Sequence, residues 1–203
     1  MAGDLDGLLG EIGRCQVCAA HLPHGPRPVV QLARGARILI IGQAPGSKVH
    51  ASGIPWEDDS GLRLRAWTGL DDEAFYDPER VAMMPMGFCY PGTGGGADLP
   101  PRPECAPLWH HRVLAALPDI RLTLLIGIHA QARYLPGRGR ATMTEAVRDF
   151  RAHLPARLPL PHPSWRSVGW MRRNPWFETE VLPELRLAVT DALAPVGGPA
   201  SSR

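Results

Sequence analysis

Arg37-Ile-Leu-Ile-Ile-Gly-Gln-Ala-Pro-Gly46 is the stretch that decides the fold. Four consecutive isoleucine or leucine residues follow an arginine and run straight into a loop of two glycines and a proline. So short a run, apolar at every position rather than every second one, reads as a central parallel strand covered on both faces. Parallel neighbours need crossover helices, and the chain supplies them on either side. Residues 81–86, 122–126 and 158–160 read as three further strands. Helices are expected over 5–12, 61–69 with Ser60 as N-cap, 104–117 opened by Glu104, 128–134, 142–153 and 175–187. Residues 19–35 and 42–53 read as irregular connections. The alternation predicts a three-layer α/β/α fold around a mainly parallel four-stranded sheet. One domain is expected over residues 1–194, followed by a Gly/Pro/Ser-rich, disordered tail over 195–203.

Composition narrows the function classes. A chain of 203 residues can bury a sizeable core, and it holds no apolar run of membrane-spanning length. Residues 1–14 lack the basic-then-apolar pattern of a secretory signal, so a cytoplasmic protein is expected. The net charge is only +2, and of 22 basic residues a single one, Lys48, is a lysine. No segment is basic enough to act as a nucleic-acid tail. Any such contact must come from folded loops, where the planar fork of arginine suits phosphate oxygens.

In parallel sheets ligands bind beyond the carboxyl ends of the strands. Gln43, Phe88, Gly127 and His162 each fall just after an expected strand and should converge on one crevice. Gly42, Gln43, Ala44, Pro45 and Gly46 form a loop whose backbone can approach a ligand and present N–H groups to it. The bland reading is an ordinary strand-to-loop turn; the Gly-Lys-Ser/Thr ending of a phosphate-binding loop is missing. Pro55-Trp-Glu-Asp-Asp-Ser-Gly61 sets an aromatic platform, Trp56, beside a candidate water-activating carboxylate, Asp58. Alternatively, Asp58 and Asp59 only complement a helix N-terminus. His162 is pinned between Pro161 and Pro163, and Ser164, Trp165, Arg166, Trp170, Arg172, Arg173 and Trp176 follow it. That mixture fits phosphate contacts with base stacking or wedging; the alternative is tryptophans that merely anchor the last helix.

Four cysteines complete the pattern, Cys15-x2-Cys18 and Cys89-x15-Cys105. Metal ligation suits a reducing compartment better than two disulfides. Zinc sites more often use two close pairs, whereas a [4Fe–4S] cluster accepts thiolates from scattered loops. Four unrelated thiols are the remaining option.

Taken in order, the cysteine pattern, Gly42-Gln-Ala-Pro-Gly46, Pro55-Trp56 and His162-Pro-Ser164 resemble the uracil-DNA glycosylase superfamily, nearest its iron–sulfur bacterial and archaeal branches. The resemblance spans residues 15 to about 187. It implies a monofunctional DNA glycosylase that flips a uracil or other deaminated base out of the duplex and hydrolyses its glycosidic bond.

 In that reading Trp56 or Phe88 stacks on the flipped base, and the Gln43–Gly46 loop binds its carbonyl edge. Asp58 activates water, His162 stabilises the departing base, and Cys15, Cys18, Cys89 and Cys105 hold a [4Fe–4S] cluster, with zinc as the alternative. Ser164, Trp165, Arg166, Arg172 and Arg173 face DNA carrying the damaged base, bound by a monomer. Two positions depart from the family pattern. Ala44 stands where an acidic or amide residue often activates water, and Met83-Met-Pro-Met-Gly-Phe-Cys89 lacks the asparagine that reads the uracil edge, for which Asn174 is the candidate substitute. Those departures keep a rival open, a DNA- or damage-binding protein that retains the fold and cluster without excising a base. A zinc-stabilised hydrolase of a small substrate leaves the arginine–tryptophan loop unexplained.

Overall fold

The computed structural model describes residues 5–195 apart from 136, 138 and 140. Its strands are β1 (Ile38–Ile41), β2 (Val81–Met83), β3 (Thr93–Gly94), β4 (Ala97–Asp98), β5 (Leu122–Ile126) and β6 (Arg157–Leu160). The helices are α1 (Leu5–Gly13), α2 (Ser47–Ser52), α3 (Asp59–Thr68), α4 (Asp72–Tyr76), α5 (Cys105–Ala116), α6 (Gly127–Tyr134), α7 (Met143–Arg148), α8 (Ser167–Arg173) and α9 (Leu182–Leu193). A π-helical turn, Phe177–Val181, leads into α9. Apart from Pro195, the tail expected over 195–203 lies outside the described residues.

The main sheet has the order β2-β1-β5-β6, and every neighbouring pair is parallel. All four residues of β1 are buried because alternate side chains enter different cores. Leu39 and Ile41 pack with Leu8 and Ile12 of α1 and with Trp109 and Val113 of α5. Ile38 and Ile40 pack with Leu64 and Trp67 of α3 and with Leu185 and Val189 of α9. Each such fully buried aliphatic side chain stabilises the fold by roughly 1.5–3 kcal/mol. Helices therefore cover both faces, and the architecture is the expected three-layer α/β/α sandwich.

The chain goes from β1 to β2 on one side, then returns past β1 to β5 on the other. That reversal leaves a crevice at the carboxyl ends of β1 and β5, where ligands bind in sheets of this type. The local differences from the sequence reading have physical causes. The second strand ends at Met83, short of residue 86, although the Met84 and Met86 N–H groups still donate to the Ile40 and Gly42 carbonyls at 3.0 and 2.9 Å. Helix α3 is capped by Asp58, not Ser60: the Asp58 carboxylate accepts from the Gly61 N–H at 2.8 Å. The segment read as a loop over 42–53 contains α2, whose last carbonyls accept from the Arg27 guanidinium. The helix expected over 142–153 ends at Arg148 and gives way to a 3-10 turn, Phe150–His153. The final helix continues to Leu193. Helix α4, helix α8 and the β3–β4 hairpin were not expected.

One buried polar group ties the layers together. His110 of α5 is sandwiched between Phe88 and Tyr134, with ring centroids 5.6 and 5.9 Å away. Its Nε2 lies 3.1 Å from the Pro85 carbonyl, which can only accept, so Nε2 carries the proton. Nδ1 then accepts from the Tyr134 hydroxyl at 2.5 Å. Burial pushes the His110 imidazole down to about 4. A histidine whose folded value lies below its unfolded value takes up its proton more readily when unfolded. Its contribution is therefore fully present above about pH 6.5 and is lost as pH falls from there towards 4. We expect the stability difference between wild type and His110→Gln to shrink by roughly 1 kcal/mol per pH unit across that window. Denaturant melts at pH 7 and pH 5 check this, and a difference independent of pH would contradict a neutral buried His110.

Candidate active site

A cleft of about 490 Å³ occupies the crevice at the carboxyl ends of β1 and β5. The Gly42–Gly46 loop forms one wall, with Ala44 and Pro45 among its lining residues. Trp56 and Asp58 come from the segment ahead of α3, and His162, Ser164, Trp165 and Arg166 from the segment after β6. The structure thus brings together in one cleft the Gly42–Gly46 loop, Trp56, Asp58 and the start of the histidine segment.

Trp56 is held in place by two glycines and carries a left-handed backbone, φ 58°, which is uncommon for a bulky residue. Its ring lies against Gly42, where a Cβ would come within 2.7 Å of it. Its main-chain oxygen lies against Gly61, where a Cβ would collide with it. The Tyr76 hydroxyl donates to the same oxygen at 3.4 Å. So fixed, the indole tilts against His162 with ring centroids 5.8 Å apart. Gly61 was read only as the start of a helix; its role in seating Trp56 emerges from the packing.

His162 is held by its neighbours' main chains. Arg63 donates to the Pro163 carbonyl at 2.8 Å, and the Ser167 hydroxyl donates to the His162 carbonyl. Burial holds the His162 imidazole below the ordinary histidine value, while the Asp58 carboxylate pulls it up. At neutral pH it is therefore a neutral hydrogen-bond donor or acceptor. Asp58 uses Oδ1 to cap α3 and presents Oδ2 near Gly46. Asp59 points elsewhere, paired with Lys48 at 3.2 Å on the surface, and neither it nor Glu57 lines the cleft.

Gln43 has a different task from the one expected. Its side-chain amide donates to the Leu99 carbonyl at 3.2 Å, tying the first loop to the end of the β3–β4 hairpin. The main-chain N–H groups of Gln43 and Ala44 donate to no described residue and remain available to a ligand. Arg166 also braces the hairpin, donating to the Gly96 carbonyl at 2.9 Å while its guanidinium lies 5.3 Å over the Trp165 ring. Trp165 itself is 74% exposed at the cleft, which is unusual for so large an apolar side chain.

Four of the expected base- or DNA-contacting residues are not brought to the cleft lining. Phe88 is buried, because the chain beyond β2 turns under α5; it lines a second, smaller cavity and stacks on His110. Asn174 is the C-cap residue of α8, and its amide donates to the Trp170 carbonyl at 2.8 Å. Asn174 therefore does not supply the missing second-strand amide, and Met83 and Pro85 form that part of the wall. Arg172 and Arg173 sit exposed on the last turn of α8, outside the cleft itself. Asp98 of β4, by contrast, lines the cleft although sequence reading did not single it out. The glycines at 92, 95 and 96, all with positive φ, were the available sign of a tight hairpin.

The second cavity is lined by Cys15, Cys18, Cys89 and Cys105 together. Cys15 follows α1, Cys18 precedes the Ala19–His21 turn, Cys89 follows β2 and Cys105 opens α5. All four are free thiols. Burial pushes Cys89 up to about 11 and Cys105 up to about 12, and burial with the nearby Glu104 raises Cys18. Cationic metal would have to displace those protons on binding. The Phe88 N–H points at the Cys105 sulfur at 3.3 Å, the kind of contact that supports a metal-bound thiolate. Among the described residues no three His, Cys, Asp or Glu side chains are grouped so as to hold a single metal ion.

The family model of the uracil DNA glycosylase superfamily matches residues 30–186. The chain belongs to that superfamily. The match covers the Gly42–Gly46 loop, Trp56, Asp58 and His162, together with Cys89 and Cys105, whereas Cys15 and Cys18 precede it. Membership aligns the protein with DNA glycosylases of DNA repair. No helix among the described residues is long and apolar enough to cross a membrane.

The seat of Trp56 gives a direct test of this geometry. Gly61→Ala forces the Trp56 carbonyl off its position and should destabilise the protein by about 1–3 kcal/mol, the usual cost of overpacking. Gly13→Ala, at a position with open space around it, serves as the control. Equal thermal stabilities for the two variants would show that Trp56 is not seated as described.

Proposed function

We propose that the protein is a monofunctional DNA glycosylase that flips a uracil or another deaminated base into the cleft and hydrolyses its N-glycosidic bond. The observation that carries this reading is the meeting of the Gly42–Gly46 loop, Asp58 and His162 in one cleft, in a chain of this superfamily. The free N–H groups of Gln43 and Ala44 suit a base carbonyl, and Trp56 offers a face for the flipped ring. As the C1′–N bond breaks, the base departs as an anion and the sugar becomes positively charged. A neutral His162 donates a hydrogen bond to a base oxygen, and that bond strengthens as charge develops. The Asp58 carboxylate faces the positive sugar and the attacking water. Exposed Trp165 fills the gap left by the flipped base, and Arg172 and Arg173 reach phosphates from the end of α8.

The cysteine cavity belongs to the same proposal. Four thiols from separate segments around one cavity, with Cys89 and Cys105 widely spaced in sequence, suit a [4Fe–4S] cluster better than zinc. Bound there, the cluster would staple the N-terminal segment to the loop after β2 and to the start of α5. Anaerobically purified protein should be yellow-brown with about four irons per chain. Stoichiometric zinc in a colourless protein would refute the iron assignment.

The activity is tested with single- and double-stranded oligonucleotides bearing uracil, hypoxanthine or xanthine, followed by alkali to reveal abasic sites. Wild type should cleave at least one substrate, and His162→Ala should slow base release by about 10²–10³-fold with little change in DNA affinity. Binding without abasic sites on any substrate would instead support a non-catalytic damage-binding protein, a reading favoured by Ala44 and by the absent second-strand amide.

A further inference from the structure

Asp98 is the cleft-lining residue that the proposed mechanism leaves without a task. It ends the small β3–β4 hairpin, and that hairpin is fastened to both sides of the cleft. Arg166 grips the Gly96 carbonyl from the histidine side, and Gln43 grips the Leu99 carbonyl from the first loop. Leu99 also donates to the Gly92 carbonyl at 2.9 Å, closing the base of the hairpin. A carboxylate on so braced a turn has a defined position.

That position is beside Asp58. The point where a Gly46 side chain would begin lies 3.6 Å from Asp98 Oδ2 and 4.0 Å from Asp58 Oδ2. Because residue 46 is glycine, the space between the two carboxylates is left open. Its backbone, φ −83° and ψ 179°, is one that any residue adopts, so conformational freedom does not explain the glycine there. Asp58 has one oxygen committed to the Gly61 N–H. The Asp98 carboxylate accepts no hydrogen bond from a described residue.

We propose that Asp98 is a second carboxylate of the reaction, which with Asp58 holds the attacking water beside Gly46 and accepts its proton. This rests on the glycosylase reading above. The water oxygen bonds to C1′ as the C1′–N pair leaves with the base. One water proton passes to Asp98, and the base anion takes up a proton from solvent. The charged groups around Asp98 are Arg166 and Asp58, with His162 across the cleft. Partial loss of solvent raises the Asp98 carboxyl above its ordinary value, Arg166 pulls it down and Asp58 pushes it further up. A carboxylate with raised proton affinity is the better base towards water.

Single-turnover base release by Asp98→Asn and Gly46→Ala tests this, using an oligonucleotide that wild type cleaves. Asp98→Asn should lose about 10²-fold or more in rate while keeping wild-type thermal stability and DNA affinity. The wild-type rate should fall at acid pH as Asp98 takes up its proton, and Asp98→Asn should shift that limb. Gly46→Ala, whose methyl group occupies the proposed water position at ordinary contact distances, should show a comparable loss without unfolding. A wild-type rate in either variant, or a slowed Asp98→Asn with an unchanged pH profile, overturns the proposal alone. Wild-type protein that releases no base from any substrate overturns both this proposal and the glycosylase reading.

Discussion

The seat of Trp56 is the constraint on which the cleft depends. Three segments distant in sequence have to meet: the end of β1, the first turn of α3 and the loop after β6. Trp56 meets all three, with its ring on Gly42, its carbonyl on Gly61 and its indole against His162. A left-handed conformation at a bulky residue costs about 1–3 kcal/mol and persists only where the surroundings over-determine it. Here they do, since the ring packs against Gly42, the main chain packs against Gly61 and the Tyr76 hydroxyl holds the carbonyl. The strain is confined to the residue that sets the distance between the first loop, the Asp58 cap and the histidine.

The parts of the molecule that were legible in the sequence are those governed by burial. Strands β1 and β5 are apolar at nearly every position because both faces are covered, and that pattern needs no tertiary information to read. Their carboxyl ends then locate the crevice, which is why the Gly42–Gly46 loop and His162 could be found. The misreadings fall where a local choice depends on packing. Phe88 was expected to follow a strand end at residue 86, but β2 ends at Met83 and Phe88 is buried among the core residues below α5. Asn174 was expected on an open loop, yet residues 167–173 form a helix and the amide is used at its end. Ser60 lost the cap to Asp58, two positions earlier, by competition between two good capping residues.

One loop serves both cavities. Leaving β2, the chain passes Pro85 on the cleft wall, then Phe88 and Cys89 at the cysteine cavity, then the β3–β4 hairpin back at the cleft, and finally Cys105. The hairpin that carries Asp98 therefore lies between two of the four thiols. A metal centre joining Cys89 to Cys105 would fix both ends of this excursion, and the entropy of closing so long a loop would be met once, at the centre. Its value to the site would be mechanical, because the glycines that let the hairpin turn tightly also make it costly to hold still.

On the proposed glycosylase reading, the charges in the cleft suit a bond that breaks into unlike ions. Asp58 and Asp98 both reach Gly46, while His162 is kept neutral by burial and Arg166 is occupied with Trp165 and the hairpin. Negative charge thus collects where a cationic sugar would form, and a neutral donor stands where an anionic base would leave. A charged histidine would be drawn to the carboxylates and would weaken the field they exert on the sugar. Burial prevents this without a further side chain, since removing water disfavours the imidazolium more than Asp58 favours it. The same enclosure strengthens each remaining interaction, because Met83, Pro85 and Trp56 form part of the cleft wall in place of solvent.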